Sequence, residues 1–271
     1  MKTIQKHFNS ITEFNKYLSE NETQPNFKGK ESSKEEGNNN FRKTRTYEEA
    51  DYLLLHGDKE LAKKIEDAGV AKTRLKLKTL QTRRQLFSSV VGVAPNVPNA
   101  LAGVPTSMIS VKEIRCKTKV LNIFYNIAID WTISADTIIN LSAKFVSACM
   151  LLEAQGFRLN VSVGSVCTKN KQNVACSVLI KSASQPFDVL KMVYPLAHPS
   201  MLRRHFFRFI EVTKNVNYDF VYTYGRPIKN KETIKEIINN REKFNAVLSF
   251  YDINEEMTAE EVAKEIVNRC K

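Results

Sequence analysis

At 271 residues, with 42% hydrophobic and 26% charged side chains, the chain has the composition of a globular protein holding one large domain, or one domain and an extension. Basic residues exceed acidic ones by 12 charges, a surplus that attracts polyanions and makes their association salt-sensitive. No apolar run approaches the roughly 20 residues that cross a bilayer, and Met1 to Ser10 lack an apolar secretory core, so the expectation is a cytoplasmic protein with no membrane partner. Cys116, Cys149, Cys167, Cys176 and Cys270 are odd in number and never spaced as Cys-x-x-Cys, which reads as reduced thiols in a cytosol. No Walker loop, Gly-x-Gly-x-x-Gly, nucleophile elbow or His-Glu-x-x-His pair is present. These absences weigh against nucleotide hydrolysis, dinucleotide chemistry and zinc proteolysis.

The first elements are predicted from their capping boxes, in which a hydroxyl and a later carboxylate satisfy free amides at a helix start. Ser10 and Glu13 open a short helix, and Thr46 and Glu49 open another that Gly57 stops. A third short helix spans Asp58 to Ala68. Between the first two, Gln24 to Arg45 is rich in Lys, Glu, Ser, Asn and Gly, and its low apolar content predicts a mobile loop.

Lys72, Arg74, Lys76, Lys78, Arg83 and Arg84 lie among leucines in the densest basic segment of the chain. Two readings stand: a phosphate-binding surface for nucleic acid, or a solvated helix face. The near absence of aromatics weakens base stacking there. Pro95, Pro98, Gly103 and Pro105 then predict a non-helical connection over residues 93–107.

From Met108 onward the pattern is strand, helix, strand, strand, helix, helix, strand, helix. Val120 to Ile129 reads as a buried strand, with a long apolar-faced helix following to Gly156. Leu159, Val161 and Val163 alternate with polar residues, as in a strand, and Val174 to Ile180 returns after a polar turn. Ala246 to Phe250 is a short apolar strand, and Thr258 with Glu261 caps a terminal helix. In Ala197 to Glu211, Arg203, Arg204 and Arg208 suggest an anion-binding face. The alternative is an amphipathic helix whose arginines pair with carboxylates.

Asp130, Thr132 and Ser134 follow the first strand of this series, where open α/β sheets place ligands. Asp-x-Thr-x-Ser at a strand end resembles the metal-ion-dependent adhesion site of von Willebrand factor A domains, whose motif is Asp-x-Ser-x-Ser. That resemblance implies Mg²⁺ held by Asp130, Thr132 and Ser134, with Thr168 and Asp188 the candidates for the family's later threonine and aspartate. If the strand ends nearer Tyr125, the matching positions become Asn126, Ala128 and Asp130, and Ser134 serves as a helix cap.

The segments Thr46-Tyr47-Glu48-Glu49-Ala50, Leu101-Ala102-Gly103-Val104-Pro105, Leu152-Glu153-Ala154-Gln155-Gly156-Phe157 and His198-Pro199-Ser200-Met201-Leu202-Arg203-Arg204 also make the chain similar to a family carried by phages and prophages of Gram-positive bacteria. Together the readings predict an α/β fold with a mostly parallel, mixed sheet flanked by helices, von Willebrand A-like or Rossmann-like. Residues 1–92 are expected as a helical extension with its mobile loop at 24–45, 93–107 as the connection, and 108–271 as the α/β domain. The resemblances imply a non-enzymatic binding or assembly module in the bacterial host cytoplasm, working on a protein partner such as a ring ATPase. The alternative is a basic nucleic-acid-binding protein of phage DNA metabolism or packaging, and an enzyme centred on Asp130 ranks behind both.

Overall fold

A computed structural model describes residues 2–37, 39–70, 82–115, 119–239 and 243–270. The chain starts with β1 (Lys2–Phe8) and α1 (Ile11–Glu20). Ser10 caps α1 by accepting from the Glu13 amide at 3.0 Å, while the Glu13 carboxylate takes the Asn9 amide. Single turns at Pro25–Phe27 and Ser32–Lys34 and the four-residue α2 (Asn39–Arg42) come next. Thr46 then caps α3 (Tyr47–His56), and Asp58 accepts from the Leu61 amide at the start of α4 (Lys59–Val70).

The α3–α4 turn needs Gly57, whose φ is +83°, and a Cβ there would lie 2.5 Å from the Leu190 carbonyl oxygen. Left-handed backbone and close approach together call for glycine.

Two compact units divide the chain. The smaller comprises residues 75–119 and 154–157. In it β2 (Thr82–Ser89) pairs antiparallel with β4 (Met108–Arg115), which also pairs β3 (Ala94–Pro95). Between β3 and β4, Asn96 caps the one-turn helix α5 (Val97–Leu101), with Pro98 in its first turn, where a missing N–H costs nothing.

The larger unit holds a sheet of order β1-β7-β6-β5-β9, with β8 added beside β6. β5 (Val120–Asn126) leads through α6 (Ala135–Ala154) to the parallel β6 (Arg158–Lys169). A hairpin turns into β7 (Gln172–Lys181), antiparallel to β6 and parallel to β1. The chain then forms α7 (Val189–Ala197), a π-helical turn (Met201–Phe206), α8 (Phe207–Val212), α9 (Phe220–Thr223), β8 (Arg226–Pro227) and α10 (Lys231–Asn239). It closes with β9 (Ala246–Ser249), parallel to β5, and α11 (Ala259–Arg269), opened by the Thr258–Glu261 capping box.

β5 sets the layers because its two faces alternate between two cores. Leu121, Ile123 and Tyr125 are buried, Tyr125 stacking on Phe145 of α6 with ring centres 4.1 Å apart. Phe124 points the other way into a cluster with Ile234, Ile237 and Ile238 of α10 and Phe244. α6 is long and apolar enough to span a bilayer by composition, yet 56% of it is buried inside the protein. Its apolar side is used up by the sheet.

The α/β class with a mostly parallel sheet flanked by helices is as the sequence predicts. The expected subdivision is not where the chain divides. β1 belongs to the central sheet, and residues 93–107 sit inside the smaller unit, one turn of them helical. Edge strand β1 escaped the pattern because, apart from Phe8, its residues stay partly or fully exposed. The basic run was weighed as a helix face, but its end, Thr82 to Phe87, is strand β2.

The segment 24–45 is likewise built in. Phe27, Ser33, Arg42 and Thr44 are buried, and the arginines that hold the segment come from far along the chain.

Candidate functional site

The strand order locates a switch point. From β5 the chain proceeds to β6 on one side and later returns to β9 on the other, and ligands of open α/β sheets bind beyond the carboxyl ends of such strands. Three segments meet there: the loop after β5, the turn after β9, and the residues after β8.

β5 ends at Asn126, so the shorter strand register holds and Asp130 lies four residues beyond it. Asn126 is fully buried, its Oδ1 accepting from the amides of Ala128 (3.2 Å) and Val166 (3.0 Å). Its Nδ2 has no hydrogen-bond partner. The Asp130 amide donates to the Tyr251 hydroxyl at 2.9 Å, and that hydroxyl donates to Asp130 Oδ2 at 2.8 Å. Lys229 Nζ stands 3.4 Å from the same carboxylate oxygen and 4.6 Å from the centre of the Tyr251 ring. Beside this knot Trp131, the single tryptophan of the chain, is 79% exposed.

Each member is held from behind. Tyr251 sits on a turn, Phe250–Asp252, closed by a Ser249–Asp252 capping box. Arg269 of α11 clamps Asp252 with hydrogen bonds of 3.0 and 3.1 Å. Burial, then the Asp130 carboxylate, pushes the Tyr251 phenol up to about 12, so it stays a donor at neutral pH. Lys229 follows β8, which is tied to β6 where Ile228 donates to the Val166 carbonyl.

The residues expected to hold Mg²⁺ fit that ion poorly. The carboxylate of Asp130 already carries a phenol and an ammonium. Ser134 Oγ accepts the Thr137 amide at 3.1 Å and pairs with the Thr137 hydroxyl at 2.8 Å, the helix-cap alternative. Thr132 is exposed. Thr168 donates to the Gln172 carbonyl across the β6–β7 turn. Asp188 caps α7 and follows β7, which runs opposite to β5, so it leaves the sheet at the other end from Asp130. Among the described residues no group of three or more His, Cys, Asp or Glu side chains is placed to hold a metal.

The second set expected at a surface is inside the protein. Arg203, Arg204 and Arg208 are 2%, 0% and 5% exposed, which corrects their reading as an anion-binding face. Their donors are used on the chain itself. Arg204 gives Nε to Thr44 Oγ1 (2.7 Å), Nη2 to the Thr44 carbonyl (2.9 Å) and Nη1 to the Ser33 carbonyl (2.8 Å). Arg203 bonds the carbonyls of Phe41 and Ile133, its guanidinium 3.8 Å from the Phe41 ring centre. Arg208 bonds Thr23 Oγ1 and the Asn21 carbonyl. Glu211, 0% exposed, accepts from Ser33 and from the Tyr224 hydroxyl. Arg203 and Arg204 therefore pin segment 24–45, Arg208 holds the residues just before it, and Arg203 also fixes the loop carrying Asp130 and Trp131. Of the basic run, Lys72, Arg74, Lys76 and Lys78 lie outside the described residues. Arg83 and Arg84 are in β2, with side chains outside that description.

Beneath the arginines is a buried polar chain. His205 Nε2 bonds the Tyr194 hydroxyl at 2.9 Å, and its Nδ1 is 3.5 Å from Asp51 Oδ1. Burial lowers His205 to about 3 and His198 to about 4.

Tyr251 and Lys229 were not foreseen. The available signal was the position of Tyr251 at the carboxyl end of the last strand; Lys229 follows a two-residue strand with no pattern to read.

The fold and its tip define an α/β protein with a polar cluster and an exposed tryptophan at a switch point. Residues 1–269 match the family described as Domain of unknown function (DUF7192), and the chain belongs to that family. No curated protein and no solved structure matches it.

Proposed function

We propose that this protein is a binding or assembly module that docks a protein partner at the carboxyl edge of β5 and β9. The reading is carried by one observation: Trp131 is 79% exposed on a loop that Arg203, Tyr251 and Lys229 hold in place. Exposed tryptophan on a pre-formed frame is the residue type that anchors protein interfaces, and rigid support limits the entropy lost on docking. The resemblance to von Willebrand A domains and to phage proteins supplies the kind of partner, a ring ATPase in a phage-infected or lysogenic bacterium. A photo-crosslinking residue at position 131, activated in native cells, tests the proposal. Capture of one dominant protein supports it, and absence of any protein adduct sinks it.

A second reading, nucleic-acid binding, rests on the surplus of 12 positive charges. With Arg203, Arg204 and Arg208 buried, it runs through Lys72, Arg74, Lys76, Lys78, Arg83 and Arg84. Reversing those charges then abolishes a steeply salt-dependent affinity for DNA or RNA.

A further inference from the structure

From Gln85 to Lys112 no residue is buried. The three-stranded sheet and its connections carry exposed apolar side chains: Leu86 (67% exposed) and Phe87 in β2, Val111 in β4, Val90 (67%), Val91 (78%) and Val93 (79%) in the turn after β2, and Val97, Leu101 (85%) and Val104 in and after α5. Small sheets need a covered hydrophobic face to be stable. The exposed area of these nine residues is on the order of 900 Å², above the few hundred Å² that a monomer ordinarily leaves uncovered.

The edge of β2 is also open. All eight of its residues pair with β4 on one side in unbroken register, and among the described residues none pairs with a strand on the other. It carries no proline and no bulge, two of the devices that blunt an edge.

We propose that this sheet is a dimerisation arm, in which β2 pairs antiparallel with β2 of a second copy about a twofold axis that passes between the two Leu86 residues. This surface shares no residue with the Trp131 tip, and the inference stands independently of it. The register selects a second copy because it is self-complementary. It sets Leu86 across from Leu86, Gln85 across from Phe87, Arg84 across from Ser88 and Arg83 across from Ser89, so no like charges are paired. A parallel arrangement would align arginine with arginine, which is unfavourable. The antiparallel pairing also brings Val90 across from Thr82 of the other copy.

Sedimentation equilibrium on the full chain tests the inference. A dimer is expected at micromolar concentration, tightening with salt as repulsion between two basic copies is screened. Leu86→Lys should weaken it about 100-fold or more while leaving the circular dichroism spectrum intact, since position 86 is outside the core. In a Cys116→Ser, Cys270→Ser background, Leu86→Cys copies should form a disulfide dimer that Val111→Cys copies do not. A monomer at all concentrations, a dimer indifferent to Leu86→Lys, or no selective crosslink overturns the proposal. So does a monomer that instead binds anionic phospholipid vesicles through the apolar tip.

Discussion

Arg203 Nη2 donates to the carbonyl of Ile133 at 2.7 Å, joining the buried π-helical turn to the loop that displays Trp131. The same guanidinium reaches the Phe41 carbonyl and covers the Phe41 ring. One side chain thus holds two surface segments that are far apart in sequence.

Replacing Arg203 by Lys keeps the charge and loses the fork. A single ammonium cannot reproduce two diverging bonds and a stacked plane, so one buried carbonyl loses its partner at about 1–3 kcal/mol. Hydrogen exchange should quicken around Phe41 and Ile133 while the β5–β6 amides stay protected. Uniform loss of protection across the sheet would show instead that Arg203 supports the whole fold.

Much of the architecture was legible. Ser10, Thr46 and Thr258 cap helices as their spacing predicts, because a cap is a local interaction between a hydroxyl and an amide three residues on. β5, β6 and β7 stood out because apolar residues such as Leu121, Ile123, Leu159, Val161, Val163, Val174 and Val178 recur among their buried positions. The arginines were misplaced for a physical reason. A sequence shows donors but not the acceptors that satisfy them, and a helical face bearing Arg204 and Arg208 looks the same whether it meets water or distant carbonyls. The π-helical turn adds to this, since its wider winding shifts the phase on which i and i+4 were counted. Segment 24–45 failed likewise: its composition is that of a loop, and its order is supplied by residues over 150 positions away.

Acid should destabilise the protein before its carboxylates alone would. His205 and His198 sit at about 3 and about 4 in the fold because burial favours their neutral forms. Their folded values lie below the unfolded value near 6.5, so the unfolded chain binds protons first and stability falls as pH drops from about 6.5 towards 4. At pH 5 each histidine contributes a loss on the order of 2 kcal/mol. Asp51, raised to about 6 mainly by burial, works in the opposite sense and offsets part of it. Urea midpoints at pH 7 and pH 5 check the sign, and His205→Gln should flatten the dependence. A midpoint that rises on acidification would reverse the assignment.

Gly57→Ala is expected to be more damaging than its single added methyl suggests. The position has φ +83°, and the new Cβ would meet the Leu190 carbonyl oxygen at 2.5 Å and the Leu190 side chain at 2.7 Å. Strain and overpacking together predict a loss of about 2–4 kcal/mol, or a thermal midpoint lower by several degrees. A change within about 0.5 kcal/mol would mean that α3 and α7 separate readily.

Millimolar Mg²⁺ should leave the melting temperature unchanged. The Asp130 carboxylate is engaged by Tyr251 and Lys229, and an ammonium 3.4 Å away already supplies positive charge. Calorimetric binding, or a midpoint that climbs with Mg²⁺ concentration and stops climbing in Asp130→Asn, would restore a metal to this tip.

Trp131→Ala separates support from contact. The side chain is 79% exposed and is not part of the buried core, so stability should change by no more than about 0.5 kcal/mol. Partner capture should fall by 30-fold or more, the loss of about 2 kcal/mol that marks an interface anchor. Tyr251→Phe removes the hydroxyl that serves Asp130 twice, freeing the loop without altering Trp131 itself. It should weaken capture by less than Trp131→Ala and lower the melting temperature more. Because Trp131 is the only tryptophan, its fluorescence reports both effects: readily quenched by acrylamide in the free protein, and shielded once the partner is added. Equal quenching with and without the captured partner would place the interface elsewhere on the molecule.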